Sequence, residues 1–281
     1  MSRQATVHAP GGTSRLVKGS LIGAALLYVG ILVIAPVVGI VWSVIDSGWS
    51  TVTSTLSLAD VRHAFWLTVV ITIQAVAVTS VMGVVVAWVL TRHRFPGRRF
   101  LYGLVDLPLA VSPVTVGLMA VVLFGRGGWF EPFFAARGIS VIFALPSMVL
   151  VTMFVCIPFV IRSVAPVLEE VGTNEEEAAK TLGASPVQTF VRVTLPNVRW
   201  GLAYGVALSA ARSLGEIGAV LIVSGAIQGQ TETATLYVLR ALEERQDASG
   251  YVVALTLAAV SIVTLMTIEI LRKRASRGED T

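Results

Sequence analysis

The sequence predicts an all-α integral membrane protein of about six transmembrane helices, with both termini on the cytoplasmic side. Three observations predict it. Of 281 residues, 55% are hydrophobic and only 14% charged, with a mean hydropathy of +0.80. Globular proteins carry roughly a quarter charged residues, so this chain has too few to coat a water-facing surface. The apolar residues gather in long runs near the roughly 20 residues a helix needs to cross a bilayer. Lys and Arg collect in alternate connections between those runs, which sets orientation by the positive-inside bias.

Residues 1–19, rich in Gly, Ser and Thr, read as a cytoplasmic tail, and 20–271 as one transmembrane domain. The spans fall at about 21–45, 64–90, 101–124, 140–161, 200–223 and 251–271, and 272–281 form a second tail. Runs of this length without strict alternation favour helices over barrel strands. Arg92, Arg94, Arg98 and Arg99 mark one cytoplasmic connection, and Arg162, Lys180, Arg192 and Arg199 another. The positive charge then reflects topology and affinity for anionic lipid. Its division among separate segments argues against a nucleic-acid partner.

The segment from Asp46 to His63 reads as a polar external loop flanked by Trp49 and Trp66 at interface depth. Pro108 and Pro113 in the third span and Pro146 and Pro158 in the fourth predict kinks. Trp129, Phe130, Phe133 and Phe134 suggest a short external interfacial helix, and Thr235 to Arg245 a second external helix. Asp106 lies about a turn and a half into its span, within reach of Arg98 or Arg99. Glu269, beside Arg272 and Lys273, is expected to snorkel to the surface.

The longest water-exposed piece is the cytoplasmic loop 162–199, which reads as two short capped helices. Thr173 with Glu176, or Asn174 with Glu177, has capping-box spacing, and Glu175 to Glu177 suit a first turn. Gly183 suits a left-handed C′ position. Ser185, Pro186 and Gln188 open the second helix, and Pro196 is expected to stop it. Ala178, Ala179 and Leu182 give the first helix a small apolar face, and Val187, Phe190 and Val191 give the second a larger one. An acidic run alone is ordinarily a solvated face. The Ala-Ala pair, the glycine and the proline give this one a different reading, a hairpin that wants a partner.

That stretch resembles the inner-membrane subunits of bacterial ATP-binding-cassette importers. Their loop reads Glu-Ala-Ala, three residues, Gly, nine residues, Ile, one residue, Leu-Pro. Here it reads Glu177-Ala178-Ala179, Gly183, Val193 and Leu195-Pro196, with Val for Ile the one departure. The resemblance implies the type I importer permease fold and makes Glu177, Ala178, Ala179, Gly183, Leu195 and Pro196 the coupling residues that dock on a cytoplasmic ATPase. From about Phe65 onward the chain also resembles sulfate/thiosulfate permeases of the CysW type, through Asp106-Leu107-Pro108 to Gly117, Leu123-Phe124-Gly125 to Trp129-Phe130, and Leu195-Pro196-Asn197 to Ser224-Gly225 with Gln228-Gly229-Gln230-Thr231. Arg212-Ser213-Leu214-Gly215-Glu216 is shared with molybdate permeases. The resemblance implies a bacterial inner membrane location and alternating-access import of sulfate or thiosulfate, with molybdate or tungstate the alternative. It implies as partners two ATP-binding subunits carrying ATP and Mg, a second, similar permease chain, and a periplasmic or extracellular sulfate-binding protein.

The residues agree with a chain that does no chemistry itself. Lys18, Lys180 and Lys273 never follow a glycine, so no Walker A phosphate loop is present. His8, His63 and His93 have no metal-ligand spacing, no cofactor site is legible, and no catalytic residue is expected. Arg212 and Glu216 stand out, since a charge at mid-membrane costs about 3 kcal/mol. Four residues apart on a helix, they share a face. They are either a structural ion pair or, with Ser112 and Ser209, candidates for the pathway or its gate. A proton- or sodium-driven transporter using them as a relay is the other class, but no inverted repeat supports it.

Overall fold

A computed structural model describes residues 15–277, which contain helices and no strand. Four helices are long and apolar enough to cross a membrane, and two bent helix pairs bring the total to as many as six spans. The tail expected at 1–19 lies largely outside the described residues, but α1 (Arg15–Val29) already begins within it. A π-helical turn, Gly30–Ile34, joins α1 to α2 (Ala35–Asp46). This first span leans on α14 and is otherwise bare, with Leu26 and Trp42 about 70% exposed.

The expected external loop is instead mostly helix. α3 (Trp49–Ser57) is followed at once by α4 (Ala59–Arg92), which starts before residue 64. The third span is two helices, α5 (Arg98–Ala110) and α6 (Pro113–Phe124), bent by 111°. Proline disfavours the helical conformation in the residue before it, and Ser112 is extended (φ −60°, ψ 137°). Pro113 therefore breaks this span, while Pro108 stays inside α5. After α7 (Glu131–Ala135) comes α8 (Leu145–Val171), with Pro146 in its first turn and Pro158 and Pro166 inside it. It begins later than residue 140 and extends beyond 161, so the connection expected at 162–199 starts inside a helix.

Two short helices, α9 (Asn174–Thr181) and α10 (Pro186–Thr189), form the hairpin. Next come a π turn (Phe190–Thr194) and α11 (Leu195–Leu214). Pro196 does not stop the second arm, because helix runs on from Pro186 to Leu214. Each of the two π turns precedes a proline, Pro36 or Pro196. Ala35 N–H bonds to Gly30 and Leu195 N–H to Phe190, so the register slips to i−5 just before a residue that has no N–H to give. α12 (Gly218–Ser224) continues the fifth span after a 57° bend, then α13 (Ala234–Glu243) and α14 (Asp247–Arg277) close the chain. Glu269 has its expected basic neighbours, Arg272 and Lys273, among side chains outside the described residues.

The core is built around α8, which packs on α4 and α11. Small residues let membrane helices approach closely, and glycines set both contacts. A Cβ on Gly83 of α4 would meet Val160 Cγ1 at 2.6 Å, and one on Gly205 of α11 would meet Val160 Cα at 2.9 Å. Ala75, Ala87, Met148, Val151 and Val164 are fully buried around this seam. Outside it, Arg240 of α13 holds the buried Glu232 through a paired contact (2.6 and 3.1 Å). Donation of these hydrogen bonds to the Glu232 carboxylate holds the Arg240 pKa above its ordinary value.

Gly205→Val places side-chain atoms against the backbone of α8. Overpacking of this kind costs about 1–3 kcal/mol, so thermal unfolding in detergent should move to lower temperature. Gly103→Ala, at a glycine with nothing within 4 Å, should leave it unchanged.

Candidate functional site

The hairpin is shaped by local bonds that its sequence dictates. Gly183 takes φ +85°, Ala184 N–H bonds to Ala179 O (3.0 Å) and Gly183 N–H to Lys180 O (3.0 Å). This is the full Schellman pattern that ends α9. Ser185 and Gln188 then make the reciprocal capping box expected of them. The box expected at Thr173 does not form. Thr173 bonds instead to the Glu177 carboxylate (Oγ1 to Oε1, 2.8 Å).

The three consecutive acids point to three different places. Glu175 accepts from Asn197 Nδ2 (2.6 Å), across to the start of α11. Glu177 is exposed, as is Ala178 beside it. Glu176 is 7% exposed and turned inward. Arg92, at the last residue of α4, donates through Nε to both Glu176 oxygens (3.1 and 3.2 Å). Its Nη1 donates to Leu168 O (2.9 Å) and its Nη2 to Gly172 O (2.6 Å) at the end of α8. Thr194, in the π turn below α11, donates to the same carboxylate (3.0 Å). One clasp thus ties α4, α8, α9 and the foot of α11 together. Trp88 adds edge-on ring contacts to His93 and Phe190 (5.0 and 6.0 Å). Phe190 therefore turns inward, while Leu182, Val187 and Val191 stay exposed (88%, 72% and 52%).

From the sequence, Arg92 bears only on topology, and spacing offers Glu176 only a capping role, so this pair is not expected. The available signal was the helical period. Glu176 is three residues before the half-buried Ala179, on the inner face of α9. Of the remaining coupling residues, Leu195 is half-buried and Pro196 exposed at the start of α11.

At membrane depth, the breaks in the third and fifth spans lie side by side. A Cβ on Gly218 would come 3.0 Å from Pro113 Cβ, and one on Gly117 would lie 2.8 Å from Ala219 O. Ser112 sits exposed in the first break. Arg212 and Glu216 flank the second. Their closest atoms, Arg212 Nη2 and Glu216 Oε2, are 2.8 Å apart, yet Glu216 Oε2 has no partner with hydrogen-bond geometry, so the contact is one of charge. Glu216 is buried and also caps α12, accepting from Ala219 N–H (3.0 Å), while the Arg212 side chain is one-third exposed. Ser209, three residues before Arg212 on α11, turns instead to α8. It is fully buried and exchanges contacts with Cys156 on α8 (3.3 and 3.5 Å). Asp106 reaches neither Arg98 nor Arg99. α5 packs on α8, and Asp106 pairs with Arg162 there (2.8 Å).

An all-helical membrane chain with two broken spans, and a hairpin growing from the foot of one of them, has the architecture of importer permeases. The solved structure of a bacterial ABC transporter involved in alginate import contains a chain that superposes with a TM-score of 0.77 at 15% identity, covering 92% of this chain and 96% of that one. The model of the family described as binding-protein-dependent transport system inner membrane component matches residues 79–277, and the chain belongs to that family. The sulfate transport system permease protein CysW of Synechococcus elongatus is 43% identical over 258 residues, 92% of this chain and 90% of that protein. Its counterpart in Escherichia coli is 40% identical, covering 93% and 90%. The sulfate permease CysT of Salmonella typhimurium is 36% identical, covering 91% and 92%.

Removing one partner of a buried ion pair typically costs about 3–5 kcal/mol, because the other charge stays buried. Arg92→Ala should lower the stability of the purified protein by that order in chemical or thermal unfolding. Arg92→Lys should recover only part, since a single ammonium cannot reproduce the spread of four bonds.

Proposed function

We propose that this chain is the permease subunit of an ATP-driven importer that carries sulfate, and thiosulfate with it, across the bacterial inner membrane. What supports the substrate is that the relatives named above are sulfate permeases matching over nine-tenths of the chain; this favours sulfate over molybdate or tungstate. In this reading both termini and the hairpin face the cytoplasm, and the basic connections agree with that orientation. The chain pairs with a second, similar permease and two ATP-binding subunits, which carry the ATP and Mg. A sulfate-binding protein delivers the anion on the other side.

The observation that carries the mechanism is the unbroken helix from Pro186 to Leu214. At 1.5 Å per residue it spans roughly 40 Å and joins the hairpin directly to the residue pair at the second break. The ATPase grips the exposed face of Glu177, Ala178, Leu182 and Val187. Closure of the ATPase moves the hairpin, and the clasp at Arg92 carries α4 and α8 along. The motion is taken up where helix is interrupted, at Gly215–Ile217 and at Val111–Ser112. Arg212 lies at that yielding point and Glu216 holds it there, which suits a gate that opens and closes more than a site that retains the anion.

The test is radiolabelled sulfate uptake into proteoliposomes holding the whole complex. Uptake should require internal ATP and survive collapse of proton and sodium gradients; uptake that follows a gradient instead refutes the reading. Gly183→Val has open space around it and acts only through its positive φ. It should reduce sulfate moved per ATP hydrolysed while the complex still assembles. Arg212→Ala should lower uptake at least tenfold with sulfate-stimulated ATPase also lost. Full transport in that variant excludes both the gating and the pathway role.

A further inference from the structure

The loop after α4 carries a cluster of cations that the coupling reading leaves unused. Arg94, Phe95, Gly97, Arg98, Arg99 and Tyr102 line a cleft of about 470 Å³, within the range of small-ligand sites, about 300–1,000 Å³. Three of the six are arginines and none is acidic. Nearby arginines are matched to carboxylates, Arg92 to Glu176 and Arg162 to Asp106. That second pair also engages the one acid on α5, which is therefore not turned to this cleft. Arg98 lies over the Tyr102 ring (5.6 Å to the centroid), and its Nε is buried without a protein acceptor. A buried donor left unpaired costs about 1–3 kcal/mol. An acceptor of negative charge in the cleft would remove that cost.

The surface beside the cleft decides which anion. Phe100 is 76% exposed, and Leu104, one turn further along the same face of α5, is 46% exposed. They run from the cleft toward the apolar remainder of the third span. A soluble phosphate or sulfate ion has no use for such a strip. A phospholipid does, with its phosphate among the arginines and an acyl chain along Phe100 and Leu104. We propose that this cleft is a binding site for the headgroup of an anionic phospholipid, held by Arg94, Arg98 and Arg99. Guanidinium groups suit this, since they bind phosphate oxygens in a bidentate manner and stay charged. The site stands on its own geometry and does not rest on the transport reading. It does touch the same machinery, because Trp88 packs on both His93 of this loop and Phe190 of the hairpin.

The test is titration of fluorescent phosphatidylglycerol, and separately phosphatidylcholine, into the purified chain in neutral detergent. Wild type should bind phosphatidylglycerol at least tenfold more tightly. Each arginine near an anionic headgroup contributes about fivefold, so Arg94→Gln/Arg98→Gln/Arg99→Gln should abolish the preference and Arg99→Gln alone reduce it about fivefold. Phe100→Ser should weaken both lipids while keeping their ratio. Unfolding temperature and helix content are followed for every variant, and the single Arg99→Gln supplies the reading if the triple variant unfolds. Equal binding of the two lipids by wild type overturns the proposal, as does an unchanged preference in a folded triple variant. So does displacement of the lipid by millimolar inorganic phosphate or sulfate, which marks a soluble-anion site instead.

Discussion

In hydrocarbon, a backbone N–H or C=O without a partner has no water to turn to, and that constraint explains where this chain departs from plain helix. The clearest case is the seven-residue α12, which ends both ways inside the protein. At its start the Glu216 carboxylate accepts from Ala219 N–H, and the Glu216 carbonyl accepts from Thr235 Oγ1. At its end Val223 O accepts from Phe143 N–H and Ser147 Oγ, and Ser224 O accepts from Thr231 Oγ1. The broken span is tolerable because neighbouring segments supply the bonds that a straight helix would have made internally. A charge at this depth is then a structural necessity before it is anything else. Glu216 holds the break open by capping it, and Arg212 sets an opposite charge beside the buried carboxylate.

A second constraint sets how the pieces are joined. α8 touches α4 and α11 through glycines on both sides of Val160, Gly83 against its side chain and Gly205 against its backbone, which leaves little room to slide. At their common foot the Arg92 guanidinium bonds at once to Leu168 O in α8, to Gly172 O just past its end, and to the hairpin carboxylate. Glycine packing along the length and a clasp at the end together make α4, α8 and α11 a single body. The hairpin is part of that body because its second arm is the first part of the fifth span.

The architecture was legible in the sequence to the extent that composition and run length decide it. Six apolar runs, the Gly183 turn and the Ser185–Gln188 box come from residue type and spacing alone. The span limits were less so, since a helix does not end where hydrophobicity does. α8 runs on through Arg162, Glu169 and Glu170, and through Pro166 as well, until Gly172 ends it with a positive φ (+69°). Pro196 misled for a physical reason. A proline ends a helix only if the i−4 carbonyl cannot be displaced, and the π turn before it does the displacing. Pro113 and Pro196 are indistinguishable as letters. One comes after an extended residue and the other after a widened turn, and that difference belongs to tertiary packing. The partners of Arg92 and Asp106 were hidden for the same reason, since each lies more than 50 positions away along the chain.

Rigidity and interruption together locate the motion that the proposed function requires. A push on the hairpin is not readily dissipated between α4, α8 and α11, because glycines bring both α4 and α11 close against Val160 of α8 and their feet are tied. It also cannot be absorbed within Pro186–Leu214, where the helix is continuous through its π turn. The first place at which the bonded ladder lapses is Gly215–Ile217. Beyond that lapse α12 begins, and its first residue, Gly218, packs directly against Pro113 at the edge of the other lapse, Val111–Ser112. Two interruptions on separate spans, adjacent and each held by side chains more than by a continuous ladder, can change angle without exposing a fresh run of backbone to lipid. Arg212 sits at the end of the rigid arm and Glu216 in the joint. Any change of angle there alters a contact that is already one of charge without hydrogen-bond alignment, so the pair can separate at less cost than the buried clasp at the foot. The clasp is built to hold and the joint to yield, and the helix between them makes the two ends of the molecule answer to each other.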